Sequence, residues 1–378
     1  EGAGWERPNW YADEGQEPAY EYSFGPQNWF ENVRKEHMAV RENVGLFEQS
    51  SFSKLLVQGR DATRFLNWIC TANIDVPVGK AVYTQWLNER GTIEADLTVT
   101  RMAEDRYLIV TAGFTHRHIV SWLEGHLTRD DFVTITDVTT TLGMLNVQGP
   151  RSRELLSQLT DADLGNDAFP FGAMKTIDMG YWRVHALRIT YMGELGWELY
   201  VPSEHLAQVY DLIVAKGESL GLVHCGYHAL NSLRIEKAYR EWAHDIGSDD
   251  SPVEAGLTFT ADFDKHGGFI GKEALNRKKA AGIPTRRLVQ FLLEDPSIML
   301  YHNETILADG QPVGYLSSGM YGYCLGAAVG MGYVSSNDPV TADWLAAREF
   351  SIRVAGVDHR ATASLRPLYD PKSERVRA

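Results

Sequence analysis

An internal duplication is the feature that most constrains the fold of this 378-residue chain. Residues 55–59, with the sequence LLVQG, recur 90 residues later as residues 145–149, with the sequence LNVQG. Each copy has the pattern of a strand and a glycine turn, followed by a helix over residues 60–69 or 150–159. The repeat predicts two related α+β units with antiparallel sheets.

A hairpin with a carboxylate on its polar face follows each copy. After the turn at Gly91, residues 92–100 alternate polar and apolar side chains, and Asp96 lies on the polar face. A second alternating run follows Gly193 and places Glu198 on its polar face. Both carboxylates come five residues after the turn glycine. We therefore predict that the two hairpins are equivalent and direct both carboxylates into one shared cavity.

The remaining segments complete a three-domain organisation. An extended arm is predicted for the first 30 residues, followed by a helix near residues 28–44. Beyond residue 286, strand-like runs alternate with turns that contain Gly and Asp, which predicts a small all-β domain. The predicted domains are 1–51 together with 141–285, then 52–140, and finally 286–378.

Composition excludes several classes of protein. A net charge of −14 argues against nucleic-acid binding, which depends on clustered Lys and Arg. Cys70, Cys225 and Cys324 are odd in number and far apart, so they indicate neither a disulfide framework nor a thiolate metal site. No apolar run reaches the length of a membrane helix. We expect a soluble protein of the cytoplasm, or of the mitochondrial matrix in a eukaryote.

Common catalytic signatures are absent from the sequence. It contains no dinucleotide-binding glycine fingerprint, no phosphate-binding lysine loop, no zinc-protease motif and no nucleophile elbow. His116 and His118 are two residues apart and would not share a helix face, so we expect no metal site there. The segment Gly268 to Lys272 lacks the spacing of a phosphate loop and is interpreted as a turn.

Three motifs resemble those of the glycine-cleavage aminomethyltransferases, in the same order and with the same spacing. They are ERG followed by ADLT (residues 89–98), YMGELGWE (191–198) and SLRIEK (232–237). Further segments resemble the C-terminal halves of sarcosine and dimethylglycine dehydrogenases and oxidases. These segments are GWERP (4–8), YREW (239–242), DSPVEAGL (250–257) and YDP (369–371).

The resemblance implies a cloverleaf of three domains around a central opening that binds tetrahydrofolate. It implies that Asp96 is the acid–base residue beside the folate nitrogens and that Glu198 binds the N–H groups of the pterin. Tyr191 and Thr98 are expected to line the same opening. Arg234, in the segment SLRIEK, and Trp242, in the segment YREW, are the remaining candidates for contacts with folate.

The same resemblance implies transfer of a one-carbon unit from a small methylated amine to tetrahydrofolate, with a flavoprotein domain or subunit as partner. Because the flavin-binding glycine fingerprint is missing, we expect no FAD on this chain. The first residue is not Met, which indicates a processed product or a piece of a longer chain. Leu230 and Asn231 stand where aminomethyltransferases usually carry an Arg-Asp pair that helps to hold the folate tail, so the residues that bind the tail are not identified.

Two other functions are compatible with the sequence. An O- or S-demethylase of the same fold would make 5-methyl-tetrahydrofolate without a flavin. The second is a folate-binding protein without turnover. The sequence lacks the signature motif of non-catalytic relatives of this kind, and the presence of Asp96 favours catalysis.

Overall fold

The computed structural model describes residue 2 and residues 4–378, and its strands form two open sheets and a closed barrel. None of the described helices has the length and hydrophobicity that a membrane crossing requires. The α-helices are α1 (Phe30–Glu42), α2 (Ala62–Ile69), α3 (His116–His126), α4 (Ser152–Leu156), α5 (Leu206–Gly217), α6 (Tyr227–Glu236), α7 (Lys272–Ala280) and α8 (Ala342–Ala346).

The first sheet has five antiparallel strands in the order β3-β4-β5-β2-β6. Its strands are β2 (Ser53–Gln58), β3 (Ala81–Leu87), β4 (Ile93–Ala103), β5 (Arg106–Thr111) and β6 (Thr134–Asp137). One face is largely apolar and packs against α2 and α3, because alternate residues of each strand point to the same side.

The second sheet has six strands in the order β11-β1-β7-β10-β9-β8. Its strands are β1 (Val44–Glu48), β7 (Leu142–Gln148), β8 (Met174–Met179), β9 (Trp182–Leu187), β10 (Gly196–Pro202) and β11 (Leu222–His224). Only the β1–β11 pair is parallel among these described strands. Leu145, Val147 and Trp197 belong to the apolar face that packs against α4 and α5.

The duplication predicted from the sequence is confirmed by the pairing register. Leu55 of β2 pairs with Ile109 of β5, and Leu145 of β7 pairs with Leu199 of β10, each residue lying 90 positions after its counterpart. Helix α2 follows β2 and α3 follows β5, just as α4 follows β7 and α5 follows β10. Helix α4 is shorter than predicted and ends at Leu156.

The predicted equivalence of the two hairpins is wrong. Since β10 corresponds to β5, the strand that corresponds to β4 is β9, which lies next to β10 as β4 lies next to β5. Asp96 on β4 and Glu198 on β10 therefore occupy non-equivalent strands. The shared spacing from a turn glycine misled the prediction, because alternation after a turn is common to most hairpins and does not identify a strand's neighbours.

The two sheets exchange one strand each. Strand β1 precedes β2 in the chain but pairs with β7, and β6 precedes β7 but pairs with β2. Leu46 lies opposite Val147, and Ile135 lies opposite Val57. The exchange connects the two sheets covalently, because consecutive strands of the chain belong to different sheets. The predicted division into domains stays a prediction, and these sheet memberships are the observation that supports it.

The two sheets pack face to face through the sides that do not contact α2 to α5. Leu108 and Val110 of β5 meet Met144 of β7 and Tyr200 of β10 in one buried cluster. The side chains of Asp96 and Glu198 lie on these two facing surfaces, as the strand registers require. Asp96 and Glu198 thus lie on faces of the two sheets that pack toward each other, and each side chain is only partly buried.

The C-terminal region is a closed six-stranded barrel, as the turn-rich pattern predicted. Its order is β12-β15-β14-β13-β16-β17. The strands are β12 (Arg286–Leu293), β13 (Thr305–Ala308), β14 (Gln311–Gly322), β15 (Ala327–Ser335), β16 (Phe350–Val354) and β17 (Val357–Ser364). Helix α6 lies against β14 and β15, where the Ser232 hydroxyl donates to the Tyr321 carbonyl at 2.6 Å.

The N-terminal arm has few regular backbone pairings in its described part. Trp10 and Trp29 are buried against the body of the protein. Tyr22 and Phe24 are exposed. Residues 1 and 3 lie outside the described residues.

Substituting Gly149 tests the strand exchange. Gly59 and Gly149 both have positive φ, and a side chain at either would clash with the backbone just before the exchanged strand, at Phe132 or Asn43. We expect Gly149→Ala to lower the free energy of unfolding in urea by roughly 2–4 kcal/mol, through overpacking and backbone strain. Gly125→Ala, in open space on α3, should be neutral or slightly stabilising. Equal stability of both variants would contradict the prediction.

Candidate active site

Asp96 is held by a residue on the neighbouring strand. Gln85 lies directly opposite it on β3 and donates from Nε2 to Asp96 Oδ1 at 2.7 Å. The Gln85 oxygen accepts a hydrogen bond from the Thr260 hydroxyl. An ionised carboxylate only accepts hydrogen bonds, so the amide nitrogen faces Asp96 and the amide oxygen faces the Thr260 hydroxyl. The bond to Thr260 is consistent with this orientation of Gln85.

The surroundings of Asp96 bring its titration close to neutral pH. Burial raises the pKa of Asp96 to about 6, although hydrogen bonds from Gln85 and Tyr83 and the charge of Arg240 favour the ionised form. A carboxylate with such a pKa is both substantially ionised at pH 7 and basic enough to accept a proton. The geometry therefore suits a general base.

Glu198 is the second carboxylate of the facing surfaces. The Tyr200 hydroxyl donates to Glu198 Oε2 at 2.5 Å. Burial raises the pKa of Glu198 to about 7, while the Tyr200 hydrogen bond and the charge of Lys54 act in the opposite direction. Lys54 is itself fully buried, and its ammonium group donates to the carbonyl oxygens of Ser50 and Phe52.

Several buried polar atoms on these surfaces have no hydrogen-bond partner among the described residues. They are Gln49 Nε2, Thr100 Oγ1, Asn146 Oδ1 and Gln148 Oε1. Asn146 lies directly opposite Glu198 in the sheet, and Gln148 lies opposite Gly196. Because buried polar groups are normally hydrogen-bonded, these atoms indicate that a polar ligand completes the site. A pterin ring, with N–H and carbonyl groups along its edge, fits such a set of donors and acceptors.

Tyr191 and Thr98 lie close to Asp96. Thr98 is two residues further along β4, on the same face. Tyr191 lies near enough for the Asp96 charge to raise the pKa of its phenol further, although burial is the main cause. Its hydroxyl donates to the Arg240 carbonyl at 2.9 Å, and its ring stacks on Tyr239 with centroids 6.0 Å apart. The structure thus brings these candidates together.

Trp242 lies at the start of β4 rather than beside Asp96. Its indole N–H donates to the Ile93 carbonyl at 3.4 Å. Its ring stacks on His118, with centroids 5.8 Å apart, and also lies near the exposed ring of Phe114. Trp242 is therefore placed at one end of the strand that carries the candidate base.

Arg234 is buried in a network of its own. Its five N–H groups donate to Asn231 Oδ1, Tyr239 O, Asp245 Oδ2, Glu241 Oε2 and Ser318 Oγ. These bonds fix the loop after α6 against the barrel. A folate contact by Arg234 stays a prediction, and the bonds within the protein compete with it.

Sequence reasoning did not identify Gln85, Tyr83, Lys54 or Thr260. Gln85 and Tyr83 could not be placed opposite Asp96 and Thr98 by counting back from the turn, because a bulge between Trp86 and Leu87 shifts the register by one residue. Lys54 and Thr260 lie far away in the sequence, and no local pattern signals their approach.

His37, Glu236 and Cys324 are the one group of potential metal ligands found among the described residues. Arg41 also donates to Glu236 Oε2, at 2.9 Å. Burial opposes ionisation of Glu236, but His37 and Arg41 hold the pKa of Glu236 at about 2. The neighbouring guanidinium already balances the carboxylate charge, so we interpret the group as a buried ion pair.

Comparison with known proteins identifies the family. Residues 1–265 match the family model of the GCVT N-terminal domain, and residues 286–370 match that of the glycine cleavage T-protein C-terminal barrel domain. The chain belongs to the glycine-cleavage T-protein family. It is 33% identical to an aminomethyltransferase of Shouchella clausii, over 90% of each chain.

Other relatives of this T-protein family member are much longer. It is 43% identical to 4-methylaminobutanoate oxidase (formaldehyde-forming) of Paenarthrobacter nicotinovorans, over 99% of this chain and 44% of that protein. It is 34% identical to human mitochondrial sarcosine dehydrogenase, over 99% of this chain and 45% of that protein. The chain thus spans slightly less than half the length of these relatives.

The fold is that of a solved T-protein. The crystal structure of glycine cleavage system aminomethyltransferase T from Bartonella henselae matches with a TM-score of 0.79. The match covers 93% of this chain and 94% of that one at 23% identity. This likeness confirms the predicted three-part architecture.

Replacing Glu198 tests how much the burial of its carboxylate lowers the free energy of unfolding. Because folding raises the pKa of Glu198 from 4.5 to about 7, ionisation opposes folding as pH rises through this interval. Glu198→Gln should therefore be more stable than the wild type at pH 8, by up to roughly 3 kcal/mol, and similar to it near pH 4.5. Urea unfolding at both pH values measures this, with Glu124→Gln on the surface as control. A variant less stable at pH 8 would contradict the assignment.

Proposed function

We propose that this protein is a tetrahydrofolate-dependent one-carbon transferase that acts on a unit derived from a small methylated amine. The observation that carries the proposal is the pair of partly buried carboxylates, Asp96 and Glu198, on facing sheets of a T-protein fold. Both have a pKa between about 6 and 7, within the range in which a group can exchange protons at neutral pH.

Each carboxylate has a distinct role in the proposed reaction. Tetrahydrofolate supplies the nitrogen that accepts the one-carbon unit. Asp96, oriented by Gln85, accepts the proton that this nitrogen releases and stabilises positive charge developing beside it. Glu198 accepts hydrogen bonds from the pterin N–H groups. Asn146 and Gln148, with unpartnered oxygens on the same sheet, are placed to accept further ones.

The donor is proposed from the relatives. Names such as sarcosine dehydrogenase and 4-methylaminobutanoate oxidase describe enzymes that act on N-methylated amines, and they are about twice as long as this chain. A flavoprotein domain or subunit is therefore the proposed source of the one-carbon unit. The absence of FAD from this chain, and its compartment, stay predictions.

The decisive experiment identifies the folate product. The protein is incubated with tetrahydrofolate and candidate methylated amines, with and without an oxidising flavoprotein. The folate products are then identified by mass spectrometry. Methylene-tetrahydrofolate formed only with the oxidising partner supports the proposal. Methyl-tetrahydrofolate formed without it indicates the O- or S-demethylase alternative, and folate binding without any product indicates a binding protein.

Asp96→Asn separates catalysis from binding. The amide keeps the size of the side chain but cannot accept the proton, so turnover should fall about 10²–10⁴-fold. The dissociation constant for tetrahydrofolate should change little. Asp105→Asn is the matched control, because Asp105 lies on the exposed turn between β4, which carries Asp96, and β5. Unchanged turnover in Asp96→Asn would remove this residue from the catalytic role.

Gln85→Leu tests whether Gln85 acts through Asp96. The turnover number at saturating tetrahydrofolate should fall as pH drops through the pKa of Asp96, because only the carboxylate accepts a proton. Losing the Gln85 hydrogen bond destabilises the ionised form, so the acid limb should move upward by about one pH unit. A purely structural role would lower turnover at every pH without moving the limb.

A further inference from the structure

Arg188 is a buried cation that the proposed reaction does not use. It directly follows β9, and only 2% of its surface is exposed. Its Nη1 donates to the Phe169 carbonyl at 2.8 Å, and its Nη2 donates to the Ala378 carbonyl at 2.9 Å. Its Nε–H is buried and has no hydrogen-bond partner among residue 2 and residues 4–378. Arg188 thus has backbone oxygens as partners and one donor to spare.

The charge of Arg188 is not balanced as the charges of two comparably buried arginines are. Arg41 is paired with two glutamates, and Arg234 is paired with a glutamate and an aspartate. No acidic side chain of the described residues pairs with Arg188, and burial and the charge of Arg153 both lower the pKa of Arg188. Since a buried charge without a counter-charge is costly, the surroundings of Arg188 are those of an anion-binding site.

Arg153 adds a second guanidinium at the same place. It lies on α4, and its Nη2 donates to the same Ala378 carbonyl at 2.8 Å. Its other partners are the Leu164 carbonyl and the Asn166 side-chain oxygen, which are neutral. Burial lowers the pKa of Arg153, and within the described part of the chain no carboxylate opposes this effect. Two like charges therefore converge on one oxygen atom, an arrangement that negative charge on this oxygen would stabilise.

The ring of Trp197 borders both guanidiniums. Its centroid lies 5.7 Å from Cζ of Arg153 and 5.8 Å from Cζ of Arg188. Trp197 belongs to the apolar core on the helix-covered face of the six-stranded sheet. Because hydrogen bonds to charged groups are stronger in apolar surroundings, this pair of arginines is suited to bind an anion more tightly than exposed arginines would.

A carboxylate is the anion that fits these donors. A guanidinium presents its N–H groups as a planar fork, which matches the two oxygens of a carboxylate. The Ala378 oxygen already accepts from both arginines. Where a chain ends at residue 378, this oxygen is one of the two in an α-carboxylate, and the other can accept from Arg188 Nε. Where a chain continues, a carboxylate from solution can take the place of the carbonyl.

The segment that carries Ala378 crosses from the barrel to the six-stranded sheet. Strand β17 ends at Ser364, and midway along the crossing Lys237 Nζ lies 3.1 Å from Asp370 Oδ2. The contacts of Ala378 lie at the far end of this crossing. Binding of a carboxylate there affects how firmly the segment is held, so the stability of the protein reports on the site.

We propose that Arg153 and Arg188 form a carboxylate-binding site. Both guanidiniums donate to the carboxylate, and its negative charge balances theirs. The α-carboxylate of residue 378 is one source of this group, and a carboxylate from solution is the other. The site does not depend on the proposed function, because Trp197 and Glu198 are consecutive residues of β10 and point to opposite faces of the sheet.

The first test moves the α-carboxylate away from the arginines. The 378-residue chain is compared with a chain extended by Gly-Ser-Gly after Ala378, each as wild type, Arg188→Gln and Arg183→Gln. Arg183, exposed on β9, is the control. Urea unfolding in sodium chloride gives the equilibrium constant for unfolding. If the α-carboxylate is bound, the extension should raise this constant roughly tenfold in the wild type and the control, and less than about twofold in Arg188→Gln.

The second test supplies the carboxylate from solution. Sodium acetate replaces sodium chloride at the same ionic strength. If the site takes a carboxylate from solution, acetate should lower the unfolding constant of the extended wild-type chain and leave that of Arg188→Gln unchanged, because a ligand that binds only the folded state stabilises it.

The two tests together decide the proposal. If neither the extension nor acetate changes the stability of the wild type, the site is overturned. An equal change in Arg188→Gln also overturns it, since the effect then arises elsewhere. Arg153→Gln, at the less buried of the two arginines, serves if Arg188→Gln does not fold, and it should likewise reduce whichever effect the wild type shows. A full effect in Arg153→Gln counts against the site.

Discussion

The reciprocal exchange of β1 and β6 is the constraint on which the rest of this structure depends. Strand β1 directly precedes β2 in the chain but pairs with β7, and β6 directly precedes β7 but pairs with β2, so each sheet takes one strand from beside the other sheet's segment. Gly59 and Gly149 permit the close backbone approach that the exchange requires. Because the sheets are tied in this way, their inner faces must meet, and the candidate site lies where they meet.

The proposed site and the buried ion pairs of the fold differ in how their charges are balanced. Burying Asp96 and Glu198 disfavours their charged forms, as their raised pKa values show. By contrast, Arg41 joins α1 to α6 and to the loop before β10 through Glu236 and Glu194, in a buried network that pairs its charges. Removing one member of such a network leaves an unpaired buried charge, which is strongly destabilising.

The loop after α6 connects these regions. Arg234 anchors it to the barrel, Tyr191 bonds to its Arg240 carbonyl, and Trp242 reaches the start of β4. Ala238 and Ala243 have positive φ within it, a conformation that costs free energy for residues other than glycine. The surrounding bonds hold the loop in this conformation, between the start of β4 and the barrel.

The sequence by itself determined the duplicated strand and helix, the alternation that places Asp96 and Glu198 on polar faces, the all-β C-terminal region and the family. These features depend on short-range periodicity and motif order, which a single chain displays directly. Only the tertiary structure decided that β10 corresponds to β5, that β1 and β6 change places, and that Thr260 bonds to Gln85 while Lys54 approaches Glu198. Pairing between distant segments depends on how whole sheets pack, and the local pattern of a strand is the same whichever neighbour it acquires. For that reason the two carboxylates were predicted to lie on equivalent hairpins, whereas they lie on non-equivalent strands of two sheets that pack face to face.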